Sequence, residues 1–208
     1  TTPTPSSTIY TSPIKVSDNT IIKIATVLPS GKMSRIRTVN VEKQTYEPAI
    51  KIDGVKSGLQ MSRVKGNFLK VDDLNWTDAE WEKSIISNLE QIKIQRKDDG
   101  ATLRGANNYA AIAEGYINIP EDGVYYLSSR LEQVWIDNKL VVNNEGDVKA
   151  STMNDSSVAL AKGLHPIKVV FLANIIGGWP SWWSSTAIEM RKDNEKEFTA
   201  VGGSQLFR

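Results

Sequence analysis

Residues able to do chemistry are few in this 208-residue chain, and their spacing does not suit catalysis. The single histidine, His165, stands directly before a proline, where a packed or hydrogen-bonded side chain is commoner than a general base. Asp72-Asp73 and Asp98-Asp99 are pairs of adjacent carboxylates. Because adjacent side chains point to different sides, neither pair can flank a substrate as the two carboxylates of a glycoside hydrolase do.

Other catalytic signatures are missing as well. The chain has no cysteine, which excludes disulfides, thiolate metal sites and a cysteine nucleophile. Gly177-Gly178 and Gly202-Gly203 are not followed by the Lys-Ser/Thr pair or the helix of a phosphate-binding loop. We therefore predict no catalytic residue, no metal site and no active site in this chain.

Tryptophans provide the sharper functional signal. Three of the six lie within five residues, at Trp179, Trp182 and Trp183, in a segment interrupted by glycine and proline. Flat indole rings suit the apolar face of a pyranose, and Asn174 and Ser181 could supply hydrogen bonds that orient it. We predict a carbohydrate-binding site at these five residues. The alternative, which the sequence leaves open, is that Trp182 or Trp183 packs in a core or against a neighbouring domain.

The overall charge and hydropathy exclude two classes of partner. The chain has 25 basic and 24 acidic residues, so its net charge of +1 offers no basic field for nucleic acid or anionic lipid. No apolar run reaches the roughly 18 residues that a membrane span needs. We expect neither nucleic-acid binding nor membrane insertion.

The elements that must position these residues are strands. Near the beginning of the chain, β-rich runs at Ile21–Leu28 and Ser34–Val41 flank Pro29–Lys32, which is typical of a hairpin connection. These strands are too few for an independent core, so we expect part of this module to lie upstream. The polar segment Glu42–Ala49 is interpreted as a linker, and the domains are predicted as residues 1–45 and 46–208.

The remaining sequence predicts a larger all-β domain. Its predicted strands are Glu90–Gln95, Tyr109–Ile119, Gly123–Ser128, Gln133–Ile136, Lys139–Val142, Ser156–Leu160 and His165–Ala173. Tight turns are expected at Glu121–Gly123, Asp137-Asn138 and Lys162-Gly163. Thr77–Glu80 fits a capping box and predicts one short helical turn. This spacing favours a β-sandwich or barrel with at most one or two short helices.

Three blocks in this larger region resemble one known family. They are Gly115–Tyr126 (GYINIPEDGVYY), Val134–Val142 (VWIDNKLVV) and Ala161–Val169 (AKGLHPIKV). In this order they resemble the β-sandwich domain named after the proteolysed segment of anthrax protective antigen. The resemblance covers about Lys51 to Arg208 and implies a fold, not a function.

The beginning of the chain carries a second resemblance. Thr2–Ile14 (TPTPSSTIYTSPI) resembles the C-terminal Ig-like or fibronectin-like module of bacterial chitobiases and β-hexosaminidases. Together the two modules imply the C-terminal region of a secreted bacterial family-twenty β-N-acetylhexosaminidase, with its catalytic barrel upstream and an extracytoplasmic location. The Asp-Glu pair of such enzymes does not occur in this chain.

The resemblance also bears on calcium. Lectin-like members of the protective-antigen-type family hold calcium, and through it a sugar, with two consecutive aspartates and a following glycine. The matching positions here are Ser129, Arg130 and Leu131, while Glu132 comes two positions too late. Calcium prefers several oxygen ligands, mostly carboxylates, and an arginine brings the wrong charge. We therefore expect no calcium cofactor.

These observations predict a non-catalytic accessory region of a glycoside hydrolase. The expected function is carbohydrate binding or substrate targeting, with glycans that contain N-acetylhexosamine as candidate ligands. The alternative is a purely structural module that packs on the upstream catalytic domain or mediates dimerisation.

Overall fold

Strands are the main regular element of the described residues, which confirms the predicted all-β class. The computed structural model describes residues 1–74, 80–93, 108–146, 154–176, 179–180 and 185–208, and only the backbone of 154–155, 175–176 and 179–180. Two compact units are present, Thr1–Thr45 and Tyr46–Arg208. No helix in the described residues is long and apolar enough to cross a membrane.

The first unit is built around one hairpin. Strand β1 (Thr20–Ile24) pairs antiparallel with β2 (Arg37–Val41), and Val27 bridges Met33 beyond them. Gly31 turns the chain with a φ of +80°, a conformation that costs glycine little. The predicted hairpin connection is thus confirmed. No residue of this unit is buried, because two short strands cannot cover each other's apolar face.

The second unit is a sandwich of two antiparallel sheets. Its described strands are β3 (Leu59–Lys65), β4 (Glu82–Ile86), β5 (Tyr109–Ile119), β6 (Gly123–Ser129), β7 (Gln133–Ile136), β8 (Lys139–Asn143), β9 (Asn154–Leu160), β10 (Gly163–Ala173), β11 (Ile175–Ile176), β12 (Trp179–Pro180), β13 (Ile188–Lys192), β14 (Thr199–Ala200) and β15 (Leu206–Phe207). The larger sheet has the order β4-β3-β5-β10-β7-β8, with β15 also beside β5. The smaller sheet has the order β14-β13-β6-β9.

The main core lies between the two sheets. Alternating residues of β5 and β10 point into it, including Ile117, Val169 and Phe171, and they meet Leu127 and Ile188 of the smaller sheet. This alternation follows from the two-residue period of a strand. The core is therefore shared by strands that are far apart in sequence.

The opposite, outer face of the larger sheet is covered at one end only. There Ile112, Val170 and Leu172 pack with Leu74, and the half-buried ring of Trp81 closes the cluster. Further along the same strands, the outward positions change from aliphatic to polar and aromatic, as at Glu114 and Tyr116. The other end of this outer face remains open.

Residues 56–58, which precede β3, are hydrogen-bonded to residues 206–208. The backbone N–H of Lys56 donates to the carbonyl of Arg208 at 2.9 Å, and the reciprocal bond measures 2.8 Å. The N–H of Gly58 donates to the carbonyl of Leu206 at 2.9 Å. These three bonds form a clasp between residues 56–58 and 206–208.

Local turn chemistry is confirmed in most places. Asp137 and Asn138 have φ values of 49° and 61°, as a two-residue hairpin between β7 and β8 requires. The strand predicted at Glu90–Gln95 is wrong, because Leu89–Ile92 forms a 3-10 turn in which the Asn88 side chain accepts the N–H of Gln91. The predicted turn at Thr77–Glu80 lies almost wholly outside the described residues.

No α-helix occurs in the part of the chain that the structure describes. Its helical segments are single 3-10 turns at Val71–Asp73, Leu89–Ile92 and Gly203–Gln205.

Candidate functional site

The predicted carbohydrate-binding residues lie at the end of β10 and in the loop that follows. Asn174 is fully buried, and its side-chain amide donates to the carbonyl of Phe68 at 2.6 Å. The backbone of Trp179 belongs to β12, which pairs with β11 so that Ile176 faces Trp179. Ser181, Trp182 and Trp183 lie outside the described residues. Asn174 is therefore placed to hold the base of this loop rather than to meet a ligand at the surface.

The other end of the loop is also anchored. Thr186 is fully buried and its hydroxyl donates to the carbonyl of Leu89 at 2.9 Å. The next carbonyl, that of Ala187, accepts from the Ser129 hydroxyl at 2.9 Å. Both stems of the loop are thus attached to the sandwich by buried side chains.

The residues at the family's calcium position do not fit a calcium ion. The Ser129 hydroxyl donates to a carbonyl and accepts the N–H of Leu131. The side-chain amide of Asn144 donates to the carbonyls of Ser129 and Leu131, each at 2.8 Å. Glu132 is buried and accepts the N–H of Leu172 at 2.7 Å. These oxygens are engaged within the protein, and Arg130 adds a positive charge.

No cluster of three or more His, Cys, Asp or Glu side chains that could hold a metal occurs in the described residues.

His165 has a structural role. It is fully buried, its Nδ1 lies 2.7 Å from Asp137 Oδ2, and its Nε2 lies 2.8 Å from the carbonyl of Ala161. Both ring nitrogens are therefore occupied, and the imidazole ties two turns together. The prediction that His165 is a packed, hydrogen-bonded residue is confirmed.

The carboxylate pair Asp72-Asp73 belongs to a turn. Asp73 Oδ2 accepts the backbone N–H groups of Leu69 and Lys70, at 3.0 Å and 3.1 Å. Aspartate side chains in turns commonly accept nearby backbone N–H groups in this way. Asp98-Asp99 lies outside the described residues.

One carboxyl group, that of Glu90, and one phenol group, that of Tyr125, have shifted pKa values, and structural causes explain both shifts. Burial alone would raise the pKa of the Glu90 carboxyl. The hydrogen bond from Lys93 and its positive charge outweigh this effect and lower the pKa. Burial raises the pKa of Tyr125, whose hydroxyl donates to the carbonyl of Glu121 at 2.6 Å. Neither shift points to a catalytic group.

The family follows from comparison with known proteins. Residues 87–196 match the PA14 domain family, and residues 1–41 match the family described as Fn3 associated. The first match covers more than half of the chain.

This chain belongs to the PA14 domain family.

Its relatives extend this result. The Beta-hexosaminidase of Porphyromonas gingivalis (strain ATCC BAA-308 / W83) is 36% identical over all 208 residues, and the chain spans 26% of that enzyme's length. Among solved structures, an anti-sigma factor domain-containing protein superposes with a TM-score of 0.51 at 15% identity, covering 82% of this chain and 55% of that one.

The PA14 domain of the MpAFP antifreeze protein superposes with a TM-score of 0.50 at 11% identity, covering 77% of this chain and 95% of that one. At this identity the two solved structures establish the fold alone. The predicted resemblance to the protective-antigen-type family and to hexosaminidases is confirmed.

The second unit also has two concavities that the sequence did not reveal. A pocket of about 800 Å³ lies beside the rings of Phe68 and Trp81. A groove of about 570 Å³ lies on the open end of the outer face, beside Tyr116 and Trp135. Trp135 lies in the strand Gln133–Ile136, which the sequence predicts, and this position was the available signal. The other residues of the groove come from different strands, so the sequence alone does not place them beside Trp135.

Proposed function

We propose that this chain is a non-catalytic accessory region of a β-N-acetylhexosaminidase, and that its PA14 domain binds carbohydrate and keeps the enzyme near its substrate. The observation that carries the proposal is the 36% identity to a Beta-hexosaminidase along the whole chain, over only 26% of that enzyme. The chain itself has one histidine, which is buried, and no Asp-Glu pair. We further propose an extracytoplasmic location, where polymeric glycans are found.

The proposed contact surface is the loop between β10 and β13. Its stems are fixed by Asn174 and Thr186, so the indoles of Trp179, Trp182 and Trp183 would be carried on an anchored base. Anchoring lowers the conformational entropy lost on binding. Because the calcium position does not fit the ion, this binding is independent of calcium.

A weak site suffices for this function. A millimolar dissociation constant corresponds to about 4 kcal/mol. Tethering converts the encounter of enzyme and glycan into an intramolecular event and raises the local substrate concentration. The accessory region would thus increase turnover of polymeric substrates more than that of a soluble disaccharide.

One observation favours a structural role for the first unit. Its 45 residues include no buried side chain, and Ile9 and Ile21 are 80% and 67% exposed. Apolar exposure of this extent in a small module is typical of a surface that another domain covers. The second candidate function is therefore an interface, with the catalytic domain or a second copy as partner.

A fluorescence titration tests the binding function. The chain is titrated with N-acetylglucosamine and its oligomers, with calcium and with EDTA. We expect a saturable change that is equal under both conditions and is lost in Trp182→Ala and in Trp183→Ala. Trp182→Phe serves as the matched control, since it keeps an aromatic ring and should retain part of the affinity.

A flat response to every sugar would contradict carbohydrate binding. The interface function is then tested by sedimentation of the chain alone and mixed with the rest of the enzyme. A monomer that binds neither itself nor the catalytic domain would contradict that function as well.

A further inference from the structure

The open end of the larger sheet's outer face forms a groove whose floor is a row across four neighbouring strands. The strand register places one side chain of each strand side by side, in the order Gln60, Glu114, Lys168 and Trp135. The next outward row places Tyr116 beside Pro166. Side chains paired in this way point to the same face of a sheet. We call these six residues the sheet groove.

The indole in this groove is held in one orientation. Trp135 Nε1 donates to Gln133 Oε1 at 3.0 Å, and the Lys168 ammonium lies 4.8 Å from the centroid of the ring. Gln133 in turn donates to Glu145 at 3.4 Å. A ring fixed before binding loses little conformational freedom when a ligand stacks on it. Trp135 is half-buried, so its fixed ring is still accessible.

The polar groups around the indole alternate between donors and acceptors. Glu114 offers acceptors, Lys168 and Arg208 offer donors, and Gln60 offers both. Positive and negative side chains are interspersed, so the groove has no strong field of one sign. Aromatic platforms flanked by such mixed groups match the alternating apolar faces and hydroxyls of a sugar.

The contrast with the other end of the same face argues against an interface between domains. Where the face is covered, its outward residues are aliphatic, as at Ile112, Val170 and Leu172. At the open end the outward residues of the same strands are Glu114 and Lys168. Covering them with an apolar surface would desolvate two charges, which is unfavourable. A polyhydroxyl ligand would instead hydrogen-bond with them.

We propose that the sheet groove is a second carbohydrate-binding site and takes a neutral oligosaccharide laid across the strands. A sugar ring stacks on Trp135 and displaces the Lys168 ammonium toward its cross-strand neighbour Glu114. The displaced ammonium donates a hydrogen bond to a hydroxyl of the sugar. The volume of about 570 Å³ lies within the usual range of small-ligand sites. The ligand class is that of the proposed function, but the site is separate.

The separation of the two sites follows from strand geometry. Lys168 and Asn174 are six residues apart along β10 and its end, which corresponds to about 20 Å in an extended chain. The loop and the sheet groove can therefore be tested one at a time.

Chemical-shift mapping provides the test. The ¹⁵N-labelled 208-residue chain is titrated with chitohexaose, with cellohexaose as a second neutral probe. We expect the amides of Tyr116, Trp135 and Lys168 to shift in a saturable way in wild type and in Trp182→Ala. Trp135→Ala should weaken this binding at least tenfold.

A matched control is available on the smaller sheet. Tyr126 is also a half-buried aromatic residue beneath a cation, since the Arg191 guanidinium lies 4.1 Å from its centroid. Tyr126→Ala should leave the affinity within twofold. If Trp135→Ala does not fold, the double variant Glu114→Gln with Lys168→Gln keeps the ring and should weaken binding at least threefold.

Each other outcome overturns the proposal. Chemical-shift changes confined to residues 174–187 would show that the sheet groove does not bind sugar, and they would still support the proposed function. Unchanged affinity in a folded Trp135→Ala variant would also remove the groove. Groove amides that broaden with protein concentration in the absence of sugar would mean that a second copy covers this face. No shift with either probe would contradict both sites.

Discussion

The two units of this chain differ greatly in how far they bury their apolar side chains. The first has a hairpin of two five-residue strands and no buried residue, although Ile22 and Val39 face each other in its register. The second has paired sheets and a continuous core that includes Phe171 and Leu127. Each unit contains a segment in which apolar and polar residues alternate, such as Thr38–Val41 in the first and Tyr116–Ile119 in the second. The difference teaches that alternation predicts a strand, whereas burial depends on a second sheet that faces it.

The largest expected effect comes from truncating each unit's apolar residues. Phe171→Ala in the core should lower the free energy of unfolding by about 3–5 kcal/mol, because it removes buried contacts and leaves a cavity. Ile21→Ala, at a position 67% exposed, should change it by less than about 0.5 kcal/mol. Urea unfolding measures both.

Two probes separate the units in this experiment. All six tryptophans follow residue 45, so their fluorescence reports the second unit, while far-UV circular dichroism reports both. A decrease in the free energy of unfolding for Ile21→Ala close to that for Phe171→Ala would contradict this comparison. It would mean that the first unit's apolar face is covered in solution.

A smaller effect is expected from the hydrogen bonds that hold the turns. His165→Ala should destabilise the second unit by about 2–3 kcal/mol, since it removes a buried ring and leaves Asp137 and the Ala161 carbonyl without a partner. In the first unit, Asn19 accepts the N–H of Lys43 at 2.7 Å at the surface. Asn19→Ala should therefore cost less than about 1 kcal/mol.

Thermal unfolding of both variants measures this difference. A neutral His165→Ala variant would show that the buried bonds add nothing over the exposed one. Such a result would weaken the contrast between the units at the level of polar contacts.

The smallest effect concerns alkaline pH and sharpens the contrast in burial. Burial raises the pKa of Tyr125 above its value in the unfolded chain, which is about 10. The neutral phenol therefore stabilises the fold fully below about pH 10, and this contribution is lost as the pH rises through the folded-state pKa. Tyr125→Phe lacks this loss.

The free energies of unfolding of wild type and Tyr125→Phe should thus diverge with rising pH in favour of the variant. Urea titrations between pH 8 and pH 11, with absorbance at 295 nm to follow tyrosinate, measure the divergence. Parallel pH profiles would contradict the assigned burial effect.

Local chemistry explains what the sequence could predict of the fold. The Asp137-Asn138 turn and the Gly163 turn require positive φ, and the residue types at these positions indicate it directly. The strand predicted at Glu90–Gln95 failed because Asn88 caps a 3-10 turn there. Leu89 and Ile92 are buried, and their apolar pattern is compatible with a strand. The side-chain cap of Asn88 instead favours the 3-10 conformation of the backbone.

The candidate site was less predictable, because its contacts are long-range. The burial of Asn174 depends on Phe68, which precedes it by 106 residues. The sheet groove depends on a register that brings Gln60, Glu114 and Lys168 into one row. Sequence periodicity gives each residue's face but not its neighbours on the next strand.

The clasp between residues 56–58 and 206–208 has a consequence for local opening of the larger sheet. Leu206 and Phe207 also pair with Ile117 and Tyr116 of β5. Release of residues 206–208 would therefore break hydrogen bonds to two segments at once. The amides of Lys56 and Gly58 should exchange their hydrogens with solvent together with the amide of Arg208, as members of one cooperative unit.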